Sequence, residues 1–204
     1  FDMDVQAQLV DTFGNVIALD IDRRLINTLL RETAAFHPAA SRTFHKIPPT
    51  SFALGRKEWY NQLVVQLNEV SNQIYVDTNI GVANTVVANP MDVAILKSTS
   101  DYAFKGNTTG GSFGSSPVAG VLDDSWKVLS SPVVPQGKML VVLKPENPDH
   151  AVFVFAPYRP LTITPFPLGR KPVMTFLSRY AAKFIRHEGV GIIEIDDTNV
   201  PTTP

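Results

Sequence analysis

The stretch Asn84-Thr85-Val86-Val87-Ala88-Asn89-Pro90-Met91-Asp92-Val93-Ala94-Ile95-Leu96 holds the sharpest local signal in the chain. Its β-branched run reads as a short buried strand. Asn89 can cap the following helix through its side-chain oxygen, Pro90 suits the first helical turn, and Asp92 favours the positive end of the helix dipole. Strand, cap and helix therefore follow one another without a gap.

Upstream of this junction, Trp59, Leu63, Leu67, Val70 and Ile74 keep helical spacing, with Gly81 placed to cap the helix in a left-handed conformation. Before it, Pro38, Pro48 and Pro49 bracket a stretch without sustained periodicity, read as a loop carrying His37 and His45. Earlier still, Val5, Leu9, Phe13, Ile17, Ile21, Leu25 and Leu29 recur every four positions, and Val16 and Ile26 widen the stripe. Residues 4–30 thus read as one amphipathic helix of roughly 40 Å, long enough to act as a strut. Its interior Gly14 marks a close backbone approach or a bend.

Downstream, residues 105–117 are rich in glycine, serine, threonine and asparagine and read as a mobile loop. From Trp126 onward, short apolar runs at Val133-Val134, 139–143 and 151–155 read as a sheet, with turns at Gly137 and 145–149. Residues 173–195 read as an extended run, a turn at Glu188-Gly189 and a strand over 190–195. A hairpin is favoured there, although 174–184 also fits a helix. The polar tail, 196–204, reads as flexible, and no internal repeat is visible.

Of the 204 residues, 44% are apolar and 18% charged, the composition of a globular chain able to bury a sizeable core. The net charge of -1 gives no general attraction for a polyanion, which disfavours a dedicated DNA-binding module. The longest apolar runs fall far short of the roughly 20 residues that cross a bilayer. The first residue, Phe1, reads as a processing boundary with chain expected upstream of it.

No catalytic constellation emerges. Cysteine is absent, which removes thiolate metal sites and cysteine nucleophiles. His37, His45, His150 and His187 lack the spacing for two to share one metal on a helix, and each reads as a loop or surface residue. Asp123-Asp124 and Asp196-Asp197 are adjacent carboxylates, read as a turn and a chain end; on a strand such neighbours point to opposite faces. Gly110-Gly111-Ser112-Phe113-Gly114 lacks the lysine of a phosphate loop, and no serine occupies a nucleophile elbow. Asn107-Thr108-Thr109 matches a glycosylation pattern that arises often by chance. Neither a cofactor nor a metal is expected.

In order along the chain, the strut helix, the second helix, the 86–92 junction and Ser131-Pro132-Val133-Val134-Pro135-Gln136-Gly137 resemble the major capsid proteins of tailed bacteriophages, with the fold of phage Hong Kong ninety-seven. Ser71-Asn72-Gln73-Ile74-Tyr75 running on to Thr78 and Gly81, Phe155-Ala156-Pro157-Tyr158, and Phe176-Leu177-Ser178-Arg179-Tyr180 are similar to the T-even and large myovirus branch. The resemblance implies an α+β capsid fold: a long spine helix and long strands in a peripheral domain, and a mixed α/β axial domain. Residues 1–55 would supply the spine helix and loop, 56–156 the axial domain, 157–195 the returning peripheral strands, and 196–204 the tail. One departure is that the family's amino-terminal arm and extended hairpin loop precede the spine helix, whereas this sequence starts almost at that helix.

The same resemblance implies a mechanical function. Copies would assemble into pentamers and hexamers that close into an icosahedral shell around double-stranded DNA, bound without sequence specificity and without a membrane. Ring contacts are heterologous, and many modest interfaces engaged together hold such a shell. Portal, scaffold and decoration proteins are the further partners implied, with the virion as location and the host cytoplasm as site of assembly. Asp20, Asp22, Arg23 and Arg24 are expected to support the spine or its neighbour contacts, and Asn107, Thr108, Gly110 and Gly111 to lie at a capsomer axis. The alternatives are an encapsulin-like compartment around cargo enzymes and, from another class, an αβ enzyme with an unrecognised site.

Overall fold

The structure is a computed structural model that describes residues 2–50, 52–99, 102–103, 118–123, 125–168 and 171–199. Helix α1 spans Asp2–Phe36. At 35 residues it is about 52 Å long, exceeding the expected 4–30 because Arg31-Glu32-Thr33-Ala34-Ala35-Phe36 contains mostly good helix formers. Pro38 ends it, since the residue before a proline is driven out of helical geometry, and His37 sits at φ -132° and ψ 56°.

A 3-10 turn at Pro38–Ala40 leads into strand β1, Ser41–Ile47. The expected loop between Pro38 and Pro48 is therefore a strand. Its only buried apolar side chain is Phe44, too sparse a pattern to announce a strand, and parallel pairing with a distant strand decides the conformation. Helix α2, Arg56–Thr78, buries Leu63, Val64, Leu67, Val70, Ser71 and Ile74. Its cap is Asn79, not Gly81: Asn79 takes the left-handed conformation at φ 53°, and its N–H donates to Tyr75 O at 2.8 Å.

Strand β2, Thr85–Ala88, and helix α3, Pro90–Lys97, follow as expected. Asn89 Oδ1 accepts from the Met91 N–H at 3.1 Å, and the Asn89 amide donates to Val134 O at 2.9 Å. The cap thus also fixes the loop that holds Val133-Val134. That pair lies in a turn rather than a strand, with Val134 buried against the core.

Strands β3 (Tyr102–Ala103), β4 (Val118–Leu122), β5 (Trp126–Ser130) and β6 (Lys138–Val142) come next. Asp123, at φ 51°, makes the turn between β4 and β5. The last three strands are β7 (Phe153–Leu168), β8 (Lys171–Phe184) and β9 (Val190–Asn199).

Among the described residues, seven strands form one sheet in the order β1-β9-β6-β2-β5-β4-β3. β9 runs parallel to β1 and antiparallel to β6; β2 runs antiparallel to β6 and parallel to β5. Met139, Leu140 and Val141 are buried in succession on β6, the pattern of a strand covered on both faces. They join Phe44, Val86, Val128, Ile192 and Ile193 and the inner side of α2 in one core. Gly191 permits a close approach: a Cβ there would overlap Val70 and lie 2.8 Å from Ala40 O.

β7 and β8 form a separate two-stranded antiparallel ribbon. The favoured hairpin over 173–195 is corrected by this pairing. β8 is extended rather than helical, but its partner is β7, while β9 crosses into the main sheet after a 3-10 turn at His187–Gly189. Pro157, Pro160, Pro165 and Pro167 lie within β7, and each lacks the N–H that a ladder needs, so the ribbon stays narrow. The expected flexible tail is shorter than read, because 196–199 continue β9 opposite β1.

Candidate functional site

Two regions stand out, a joint at the base of α1 and the arm that projects from it. At the joint, the buried His37 ring lies between two acceptors. Nδ1 is 3.0 Å from Val190 O, and Nε2 is 2.8 Å from Asp77 Oδ2. The Gln73 amide donates to both oxygens of Asp77, at 3.1 and 2.9 Å. The Gln73 hydrogen bond, followed by that of His37, holds the Asp77 carboxyl below the usual range. Thus His37 is buried and bonded, where a loop or surface residue was expected; the partner lies 40 residues away in sequence, so no local spacing announces it.

Beside it, His187 Nε2 is 3.5 Å from Glu32 Oε2. The His187 ring stacks on Phe184, with centroids 5.0 Å apart, and meets Phe36 at 4.7 Å. Phe153 packs edge-on against Phe184 at 5.2 Å. The end of α1, the start of β7, the end of β8 and the turn before β9 therefore converge on one aromatic and ionic cluster. A cavity of about 340 Å³ adjoins it, lined in part by Thr85, Val87, Val142, Val152 and Phe153.

From this base α1 and the ribbon project, and they touch again where Phe13 meets Phe176 at 5.6 Å. Apolar side chains remain open to solvent along the arm: Phe13, Val16, Phe155 and Leu177 are exposed, and Tyr158 is 81% exposed.

The charged residues expected on the strut divide. Arg24 and Asp20 pair at 2.9 Å across one helical turn, both exposed. Arg23 borders a shallow groove with Val16, Ile17, Leu19 and Asp20. Asp22 is half-buried, and burial pushes its carboxyl above the usual range. Asn107, Thr108, Gly110 and Gly111, with the glycine-rich stretch around them, lie outside the described residues.

Elsewhere, Asp92 Oδ2 accepts from the Gly137 N–H at 2.8 Å, fixing the turn in which Gly137 has φ +81°. Burial raises the Asp92 carboxyl above its ordinary value, partly offset by that hydrogen bond. Asp196 and Asp197 are strand residues facing β1: Asp196 Oδ2 is 3.8 Å from His45 Nδ1, and Asp197 Oδ1 is 3.1 Å from Lys46 Nζ. The edge strand β1 is itself covered, since the Trp59 indole N–H donates to His45 O at 2.7 Å. Among the described residues no group of three or more acidic or histidine side chains could hold a metal, and no helix is long and apolar enough to cross a membrane.

The fold has solved counterparts. The chain superposes with a TM-score of 0.54 on the virus-like particle from Pyrococcus furiosus, at 10% identity, covering 88% of this chain and 64% of that one. It superposes with a TM-score of 0.56 on the holo-SrpI encapsulin complex from Synechococcus elongatus, at 16% identity, covering 98% of this chain and 69% of that one. At such identities the likeness is one of fold alone, the α+β fold of the Hong Kong ninety-seven type. The chain spans just under two thirds of the length of the first of these. No curated protein matches it in sequence. The profile of the major capsid protein Gp23 matches residues 1–200, almost the whole sequence, and the structural counterparts agree with it in fold. The chain therefore belongs to the Gp23 family of major capsid proteins, the T-even type that its motifs resemble.

Proposed function

We infer that this chain is the tile of a phage head: copies assemble into pentamers and hexamers that close an icosahedral shell around double-stranded DNA. The observation that carries this reading is the Gp23 profile match over residues 1–200. The geometry is compatible with it. A stiff helix and a narrow ribbon, both bearing exposed apolar side chains, project from a sheet core that is already complete. Surfaces of that kind suit heterologous contacts, in which one edge of a subunit meets a different edge of the next.

In this reading α1 and the ribbon form the peripheral domain, drawn from 1–55 and 157–195, and 56–156 form the axial domain. β1 and β9 lie in the same sheet as β2 and β6, so the boundary passes through that sheet. Asp20, Asp22, Arg23 and Arg24 support the strut or its neighbour contacts, and Asn107, Thr108, Gly110 and Gly111 take the capsomer axis. The role is structural, without catalytic turnover. Portal, scaffold and decoration proteins complete the partner set, and the shell forms in the host cytoplasm before becoming part of the virion.

The encapsulin-like alternative shares the fold, so imaging decides between them. Electron microscopy of the native particle is expected to show a tailed, DNA-filled head. A small tailless shell around protein cargo would replace this reading with the alternative.

A further inference from the structure

His37, the residue that follows α1, makes side-chain contacts to both α2 and β9. Both atoms that its ring nitrogens face are acceptors, a main-chain carbonyl and a carboxylate. An imidazole with a single proton can donate to only one of them, and its bare nitrogen then points a lone pair at the other. Satisfying both needs a proton on each nitrogen. The His37 ring is buried, while the Asp77 side chain keeps 27% of its surface open to solvent.

The charged groups that face this joint come from each element packed there. α2 supplies Asp77, with the neutral Gln73 beside it. β9 supplies the Val190 carbonyl. α1 supplies Glu32, which pairs with His187 and has Arg31 at 3.9 Å. The second histidine therefore fastens the same helix end to the turn before β9, and its pairing is also charged only when the ring is protonated.

We propose that the base of α1 is a protonation-dependent joint, in which doubly protonated His37 bridges Asp77 and Val190 O and locks the α1–ribbon arm to the sheet. Loss of one ring proton breaks one of the two bridges and loosens the arm, while the sheet core stays folded. His187 with Glu32 acts in the same direction. At the other extreme, acid strong enough to protonate Asp77 removes the acceptor and opens the joint again. The joint is a property of the single chain; only its use in adjusting subunit shape rests on the capsid reading.

The test is magic-angle-spinning NMR of the ¹⁵N-labelled full chain, applicable to free or assembled protein, combined with hydrogen exchange corrected for the intrinsic effect of pH. At pH 6 both ring nitrogens of His37 are expected to be protonated. Between pH 6 and 8.5, protection of amides 33–37 should fall roughly tenfold, the size of one lost charge-assisted hydrogen bond, while β6 amides keep theirs. The variants His37→Gln and Asp77→Asn should abolish the pH dependence. A His37 ring with one bare nitrogen at pH 6 overturns the proposal, as does pH-independent protection of 33–37 in the parent chain. The ring signals need no variant to fold, and they read the joint separately from any measurement of shell formation.

Discussion

Phe13 of α1 and Phe176 of β8 meet with ring centroids 5.6 Å apart and planes tilted by 45°. Phe13 lies 23 residues from Phe36, about 35 Å along the helix, and Phe176 lies 8 residues from Phe184, about 26 Å along the strand. Helix and ribbon are thus pinned at the base and again far from it. The second pin makes them one arm. A two-stranded ribbon alone is marginal in water, so its order depends on this lateral support.

Replacing Phe176 by alanine should therefore loosen the arm and spare the body. The aromatic pair is worth about 0.5–1.5 kcal/mol beyond area burial, and Phe13 remains partly in solvent. Hydrogen exchange should quicken in the ribbon and around Phe13, with β2 and β6 unchanged. Equal acceleration in the sheet would mean that arm and body unfold together.

Asn89→Ala should cost about 1–2 kcal/mol in urea unfolding, because the cap on Met91 N–H and the bond to Val134 O are lost together. Asn89→Asp keeps the cap but not the donated bond, so it should fall between alanine and the parent. A value for aspartate equal to that for alanine would contradict this division of roles.

The Asp92 carboxyl is raised by burial, so its protonated form is favoured in the folded state. The sign follows: the stability tied to this group is fully present below the ordinary aspartate range and is lost as pH rises through the raised value. Asp92→Asn keeps an acceptor for the Gly137 N–H without the charge. It should be at least as stable as the parent at pH 7, with the gap closing towards pH 3. Thermal unfolding across that range checks it, and a variant weaker at pH 7 than at pH 3, relative to the parent, would reverse the assignment.

Gly191→Ala places a methyl against Val70 and 2.8 Å from the Ala40 carbonyl. Overpacking of this kind costs about 1–3 kcal/mol. Shortening the obstacle with Val70→Ala should recover only part of the loss, since the carbonyl belongs to the main chain. Full recovery in a double-mutant cycle would show that the backbone contact is harmless.

Legibility in the sequence followed the range of the determining interactions. The 84–96 junction was readable because Asn89, Pro90 and Asp92 act within one turn of the helix that they start. Both long helices declared themselves through spacing. β1 did not, since its conformation depends on β9, about 150 residues away, and shows one buried residue locally. The 173–195 hairpin misled because β8 and β9 are neighbours in sequence across a tight turn, yet they belong to different sheets. The prolines of β7 hid a 16-residue strand inside apparently short runs. The charged cluster on α1 was visible, whereas the His37–Asp77 bridge carried no sequence signal at all.

Arg23→Glu with Arg24→Glu tests the strut's charged face. The Arg24–Asp20 pair is exposed, so its loss should cost the fold less than about 1 kcal/mol. Particle yield should nevertheless drop, because the reversal sets like charges along the arm. Normal assembly of the double variant would remove these residues from the contact surface.

The central claim is self-assembly, and the mass and shape of the native particle carrying this chain test it most directly. Cryo-electron microscopy with native mass measurement should find a closed shell in which copies are ringed by fives and sixes, with the arm of each lying against a neighbour. A particle no larger than one chain or a small oligomer, at physiological concentration, would contradict it.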